Sequence, residues 1–121
     1  MREKYMWNRN PKYVQWVQEQ GGIEVVYQKV FELRNKACTK IKSELGIPLP
    51  DRYVRDLRVD TVKHMTRQEL EKNPNVTADE LWERWQLGKI RGMKKKAYVK
   101  EFRGYYDYFD EVKKELTEAT S

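Results

Sequence analysis

Seven cations fall within fifteen residues of this 121-residue chain: Lys89, Arg91, Lys94, Lys95, Lys96, Lys100 and Arg103, with Glu101 the one acid among them. The stretch carries +6, and the 25 Lys and Arg of the whole chain exceed its 19 Asp and Glu by the same six. Everywhere else acids and bases cancel, so the charge is placed rather than spread. A localised cationic stretch with Tyr98 and Phe102 threaded through it suits a polyanion, nucleic acid above all. Lys94, Lys95, Lys96, Lys100 and Arg103 are expected to neutralise phosphates. Lys89 and Arg91 would lie nearest a groove, Arg91 having the planar fork that reads base edges. A second, smaller set is Arg52, Arg55 and Arg58.

Other chemistries find little support. A structural zinc site needs about four nitrogen or sulfur ligands, and Cys38 and His64 are the only cysteine and histidine. Cys38, among apolar helical positions, reads as a small buried hydrophobe. His64 lies beside Met65 near an expected helix end, where the dipole favours a cation. No glycine-rich phosphate loop or nucleophile elbow occurs, and no two carboxylates stand at a motif spacing. No catalysis, metal or cofactor is therefore expected.

With 36% charged and 39% apolar residues the balance is that of a folded domain. No apolar run approaches the length of a membrane span. The first residues lack the apolar core of a signal peptide, so a cytoplasmic location with no membrane partner is expected.

The elements that must position these cations follow from period and punctuation. Residues 1–9 form a basic arm with Arg2, Lys4 and Arg9 beside Tyr5 and Trp7. Asn10 and Pro11 are an N-cap and first-turn proline, opening a short helix that Gly21 and Gly22 end. Ile23, Val26, Val30, Leu33, Ala37, Ile41 and Leu45 recur every three or four residues, predicting one long helix over 23–45 as the centre of the bundle. Gly46, Pro48 and Pro50 stop it. Asp51 caps a helix to about Met65, with Val54, Leu57, Val62 and Met65 inward. Thr66 to Glu69 and Thr77 to Glu80 are capping boxes, each predicting a helix start. From Lys89 a final helix is predicted toward Leu116. Along it Tyr98, Phe102, Tyr105, Phe109, Val112 and Leu116 step by fours and threes, a heptad-like seam suited either to the chain's own core or to a second copy.

Two stretches resemble helix-turn-helix proteins. Residues 70–88 run from Leu70 through Asn73-Pro74 and the capped Thr77-Ala78-Asp79-Glu80 to Leu87-Gly88, and are similar to the start of helix-turn-helix and winged-helix domains. The resemblance implies that residues 89–100 take the place of the recognition helix in the major groove. The pattern departs from that family at Arg84, where a small residue is usual, at Lys89 and Lys94, where apolar residues are usual, and in having no wing. Residues 41–58, with the Leu45-Gly46 turn and Arg52, Arg55 and Arg58 beyond it, also look like a helix-turn-helix.

The expected architecture is all-α, a small bundle of five or six helices in a single domain. It comprises the arm (1–9), a helical core (10–65), a helix-turn-helix-like unit (66–103) and a C-terminal helical extension (104–121). The expected partner is nucleic acid, double-stranded DNA in the first place. By analogy with small phage or mobile-element proteins, the role would be that of a transcription regulator or a packaging or recombination accessory. Two alternatives stand beside it: a helical assembly protein that self-associates through Tyr98, Phe102, Tyr105, Phe109 and Val112, and a binder of single strands or RNA.

Overall fold

Asn10 and Pro11 open the first helix as their chemistry dictates. In the computed structural model, which describes residues 10–89, 102 and 104–120, the Asn10 side chain accepts from the Lys12 and Tyr13 amides at 3.0 and 3.3 Å. α1 (Pro11–Gln20) follows and ends at Gly21, whose φ of 108° lies in the left-handed region that favours glycine. Then come α2 (Ile23–Glu32), α3 (Cys38–Leu45), α4 (Asp51–Lys72), α5 (Ala78–Trp85) and α6 (Tyr105–Thr120). The chain is all-helical, and six helices stand among the described residues. The arm at 1–9 lies outside them.

Three of the expected boundaries are corrected, the smallest being that Asp51 is the first residue of its helix rather than its side-chain cap. The helix predicted over 23–45 is two helices, broken by turns at residues 33–35 and extended backbone at Ala37 (φ −62°, ψ 151°). Arg34 closes the end of α2, its guanidinium donating to the Phe31 carbonyl at 2.8 Å and lying 4.3 Å from the Phe31 ring centroid. The period survives the break because α2 and α3 both pack on α4. Conversely, the helix start predicted at Thr66 is absent: α4 runs unbroken for 22 residues, about 33 Å at 1.5 Å per residue. The Thr66 hydroxyl is buried and donates back to the Val62 carbonyl at 2.7 Å, as Thr61 does to Leu57, the usual arrangement of threonine inside a helix. Glu69 instead pairs with Arg84 at 2.8 Å. The helix-turn-helix-like unit therefore has no boundary at 66, and α4, rather than residues 23–45, is the spine.

That spine joins two apolar clusters. Val54 and Leu57 meet Tyr13, Trp16 and Val17 of α1, Val26 and Val30 of α2 and Ile41 of α3. One turn further on, Val62, Met65 and Leu70 meet Val76, Leu81, Trp85, Leu87 and, from the C-terminal part, Phe102, Tyr105, Phe109 and Val112. Phe31 bridges the two, its ring edge-on to Trp85 at 5.0 Å. Each fully buried side chain of this size contributes about 1.5–3 kcal/mol. α6 lies along α4 with Lys63 paired to Glu111 (3.7 Å) and Arg67 to Glu115 (3.0 Å). Both numbers rise together, so the two helices run parallel.

Burial also makes the fold sensitive to alkali. Burial, helped by Asp60 and Glu24, pushes the Tyr27 phenol from 10.0 up to about 12, and burial does the same to Tyr105. Below pH 10 both phenols are neutral whether folded or not. Between 10 and 12 the unfolded chain ionises first, and stability falls with rising pH. Urea midpoints should therefore hold up to about pH 10 and then drop, and Tyr27→Phe with Tyr105→Phe should flatten that drop. An unchanged alkaline limb in the double variant would refute this assignment.

Candidate nucleic-acid interface

The basic stretch begins at a well-built turn. α4 ends at Asn73, whose side chain accepts from the Asn75 amide at 3.1 Å, and Val76 is buried beneath that turn. Thr77 then caps α5, accepting from the Glu80 amide at 3.2 Å. Leu81 and Trp85 hold α5 against the second cluster. At its end Gln86 adopts a left-handed conformation (φ 55°, ψ 42°), and the Leu87 amide reaches back to the Trp82 carbonyl at 3.1 Å. Leu87 is fully buried and Lys89 exposed. The helix, turn, capped helix and second turn expected over 70–88 are all present, the first of them as the end of α4.

Gln86 is the one non-glycine residue with positive φ among those described. An L side chain in that region costs about 1–2 kcal/mol, and glycine avoids the cost while adding freedom to the unfolded chain. Gln86→Gly should raise stability by roughly 0.5–1 kcal/mol in urea titrations; a loss would mean that the turn is not strained.

Residues 90–101 and 103 lie outside the described residues, and with them Arg91, Lys94, Lys95, Lys96, Tyr98, Lys100 and Arg103. On the near side of the stretch is the buried Leu87. On the far side Phe102 is fully buried, the Arg58 guanidinium carbon 5.5 Å from its ring centroid. Both ends of the cationic run are thus anchored in the second cluster.

Several of the other described cations meet acids or side-chain carbonyls. Lys36 pairs with Glu44 (2.6 Å), Lys42 with Asp51 (3.8 Å), Lys63 with Glu111, Arg67 with Glu115 and Arg84 with Glu69. Lys29 donates to the Gln20 side chain at 2.8 Å.

The second arginine set is divided. Arg52 and Arg55 are exposed on the first turns of α4, Arg52 lying 5.0 Å from the Tyr53 ring. Arg58 is fully buried, donating to the Arg34 carbonyl and to Cys38 Sγ at 3.4 Å. Steps of three residues turn back about 60° each around a helix, which carries Arg58 off the exposed face and into the core. Arg58 is removed from the surface contacts expected of it. Neither Arg52 nor Arg55 makes a described contact with the Lys89 turn.

Of the two readings of the heptad-like seam, its described members follow the first. Phe102, Tyr105, Phe109 and Val112 are buried at 0, 0, 5 and 2% exposure in the chain's own core, so they offer no face to a second copy. Tyr98 lies outside the described residues. Tyr106, by contrast, is exposed, stacked on Trp82 at 5.9 Å and donating to Asp79 at 2.6 Å. That hydrogen bond is the main reason its phenol titrates higher than usual.

His64 sits within α4 rather than at a helix end. Its Nε2 is 2.6 Å from Glu24 and its ring 4.9 Å from Tyr27, clasping α2 to α4. Among the described residues no group of three or more His, Cys, Asp or Glu is placed to hold a metal, and no helix is long and apolar enough to cross a membrane. No protein-family model, curated protein or solved structure matches the chain.

Proposed function

We propose that this protein binds nucleic acid, duplex DNA in the first place, by phosphate contacts from the cations of residues 89–103. The observation that carries the reading is the placement of charge. The whole net +6 falls in that one stretch, while outside it Lys36, Lys42, Lys63, Arg67 and Arg84 each stand within 4 Å of an acid. Supporting it, the stretch follows a capped helix and a left-handed turn, in the order by which helix-turn-helix proteins lead into a recognition helix. Arg52 and Arg55, exposed on α4, are auxiliary phosphate contacts.

The test is a titration of random-sequence duplex and of a single strand of the same length across a range of salt. Seven phosphate contacts give a slope of about −6 in log K against log salt, a loss of about four orders of magnitude between 50 and 200 mM. Duplex should be preferred. Stronger binding of the single strand would move the assignment to a single-strand or RNA binder that uses the aromatics for stacking. A shallow slope, or no binding at low salt, would overturn it altogether.

A further inference from the structure

Among the described residues, the heptad-like seam of α6 is buried as far as Val112 and only partly beyond it. Leu116, its last member, is half-buried and lines an open cavity of about 470 Å³. One wall is Leu70, Glu71 and Pro74, at the end of α4 and in the turn after it. The other is Lys113, Leu116 and Thr117 of α6. The residues of each wall are spaced for one side of a helical turn. Leu70, Leu116 and Pro74 make an apolar floor, and the exposed Glu71 and Lys113 place opposite charges on opposite rims. Neither of those two side chains has an ion-pair partner among the described residues. Their acidic neighbours Glu111 and Glu115 are already matched to Lys63 and Arg67 on α4.

We propose that this groove is the surface through which the chain pairs with a second copy of itself. The charge pattern selects the occupant. A polyanion or a strongly basic peptide would be attracted by one rim and repelled by the other. A copy related by a two-fold axis running along the groove sets each Lys113 against the other chain's Glu71, twice over, as an isologous contact requires. The same rotation sets Leu116 of each copy across from Leu70 of the other, so that the two apolar floors face each other. The pairing stands independently of nucleic-acid binding.

Sedimentation velocity of the full chain, from low micromolar to near-millimolar concentration and without nucleic acid, tests the proposal. The mass should rise toward two chains, and Leu116→Asp should hold it at one. Lys113→Glu alone and Glu71→Lys alone should each weaken pairing by about tenfold or more, since each sets like charges face to face. An equimolar mixture of these two variants should pair again, because every facing rim is then opposite in sign. Unchanged thermal melts of each variant at low concentration, where the chain is single, separate lost pairing from lost folding. A wild-type mass of one chain at every concentration overturns the proposal, and so does a mixture that pairs no better than its components.

Discussion

Replacing Arg58 with alanine should cost the fold about 3–5 kcal/mol, the range for emptying a large core site, here with a buried acceptor also left unmatched. Arg58 is among the largest fully buried side chains and touches three otherwise separate parts of the chain. It donates to the Arg34 carbonyl in the turn between α2 and α3, and to Cys38 Sγ at the first turn of α3. Its guanidinium carbon also lies 5.5 Å from the ring centroid of Phe102, a residue within the cationic stretch. Alanine removes the volume and leaves the Arg34 carbonyl without that donor. Methionine restores most of the volume but not the donor, and should lose about 1–3 kcal/mol, the cost of a buried acceptor left unmatched. Lysine keeps the charge without the fork that serves two acceptors at once. Urea unfolding of the three variants separates these contributions. If Arg58→Ala falls within 1 kcal/mol of the parent, the guanidinium is not holding the turn at 33–35.

The same residue shows why some of the architecture was legible in the sequence and some was not. Caps announce themselves locally: Asn10-Pro11, Thr77 with Glu80, and Gly46 each satisfy backbone groups within a turn of themselves, and each stands where its type implies. The break between α2 and α3 involves no glycine or proline. It is tied instead to Arg58, more than twenty residues away, whose donor reaches the Arg34 carbonyl. Apolar spacing is blind to it because both helices turn the same side to α4. Thr66 to Glu69 misleads for the opposite reason. A threonine three residues before a glutamate makes a capping box only where the helix begins, and inside α4 the same hydroxyl bonds backward to Val62. The asparagine at 35, beside two cations, was the weak local sign of a turn.

For the candidate interface, charge and turn chemistry were legible and depth was not. Arg52, Arg55 and Arg58 look alike in a sequence, and only the angular step around α4 distinguishes two surface arginines from one in the core. The seam behaves in the same way. Its period shows that Phe102, Tyr105, Phe109 and Val112 share a stripe, but not whether α4 or a second copy covers it. The structure assigns them to the chain's own core and leaves Leu116 half-buried in the floor of the groove. Tyr105 and Tyr106, adjacent in sequence, divide between core and surface. The exposed stack of Tyr106 on Trp82 had no signal beyond the aromatic residues themselves.

Lys94→Ala combined with Lys95→Ala and Lys96→Ala should have the largest effect on binding. Each phosphate contact contributes about 0.9 to the slope of log K against log salt, so three lost contacts should flatten it by up to about 3. Extrapolated from a molar-salt reference, the same three contacts represent about two to three orders of magnitude in affinity near 0.1 M salt. A control with an equal change of charge is Lys12→Ala with Lys40→Ala and Lys72→Ala, three exposed lysines on α1, α3 and α4. If affinity follows net charge alone, the two triple variants will lose binding equally. If it follows placed charge, the control keeps the parent's slope within about one contact. The substituted lysines are cations flanked by the buried anchors Leu87 and Phe102, so thermal melts should stay close to the parent's and the loss should appear in binding alone. Equal slopes for the two triples would reassign the attraction from residues 89–103 to the protein's overall field.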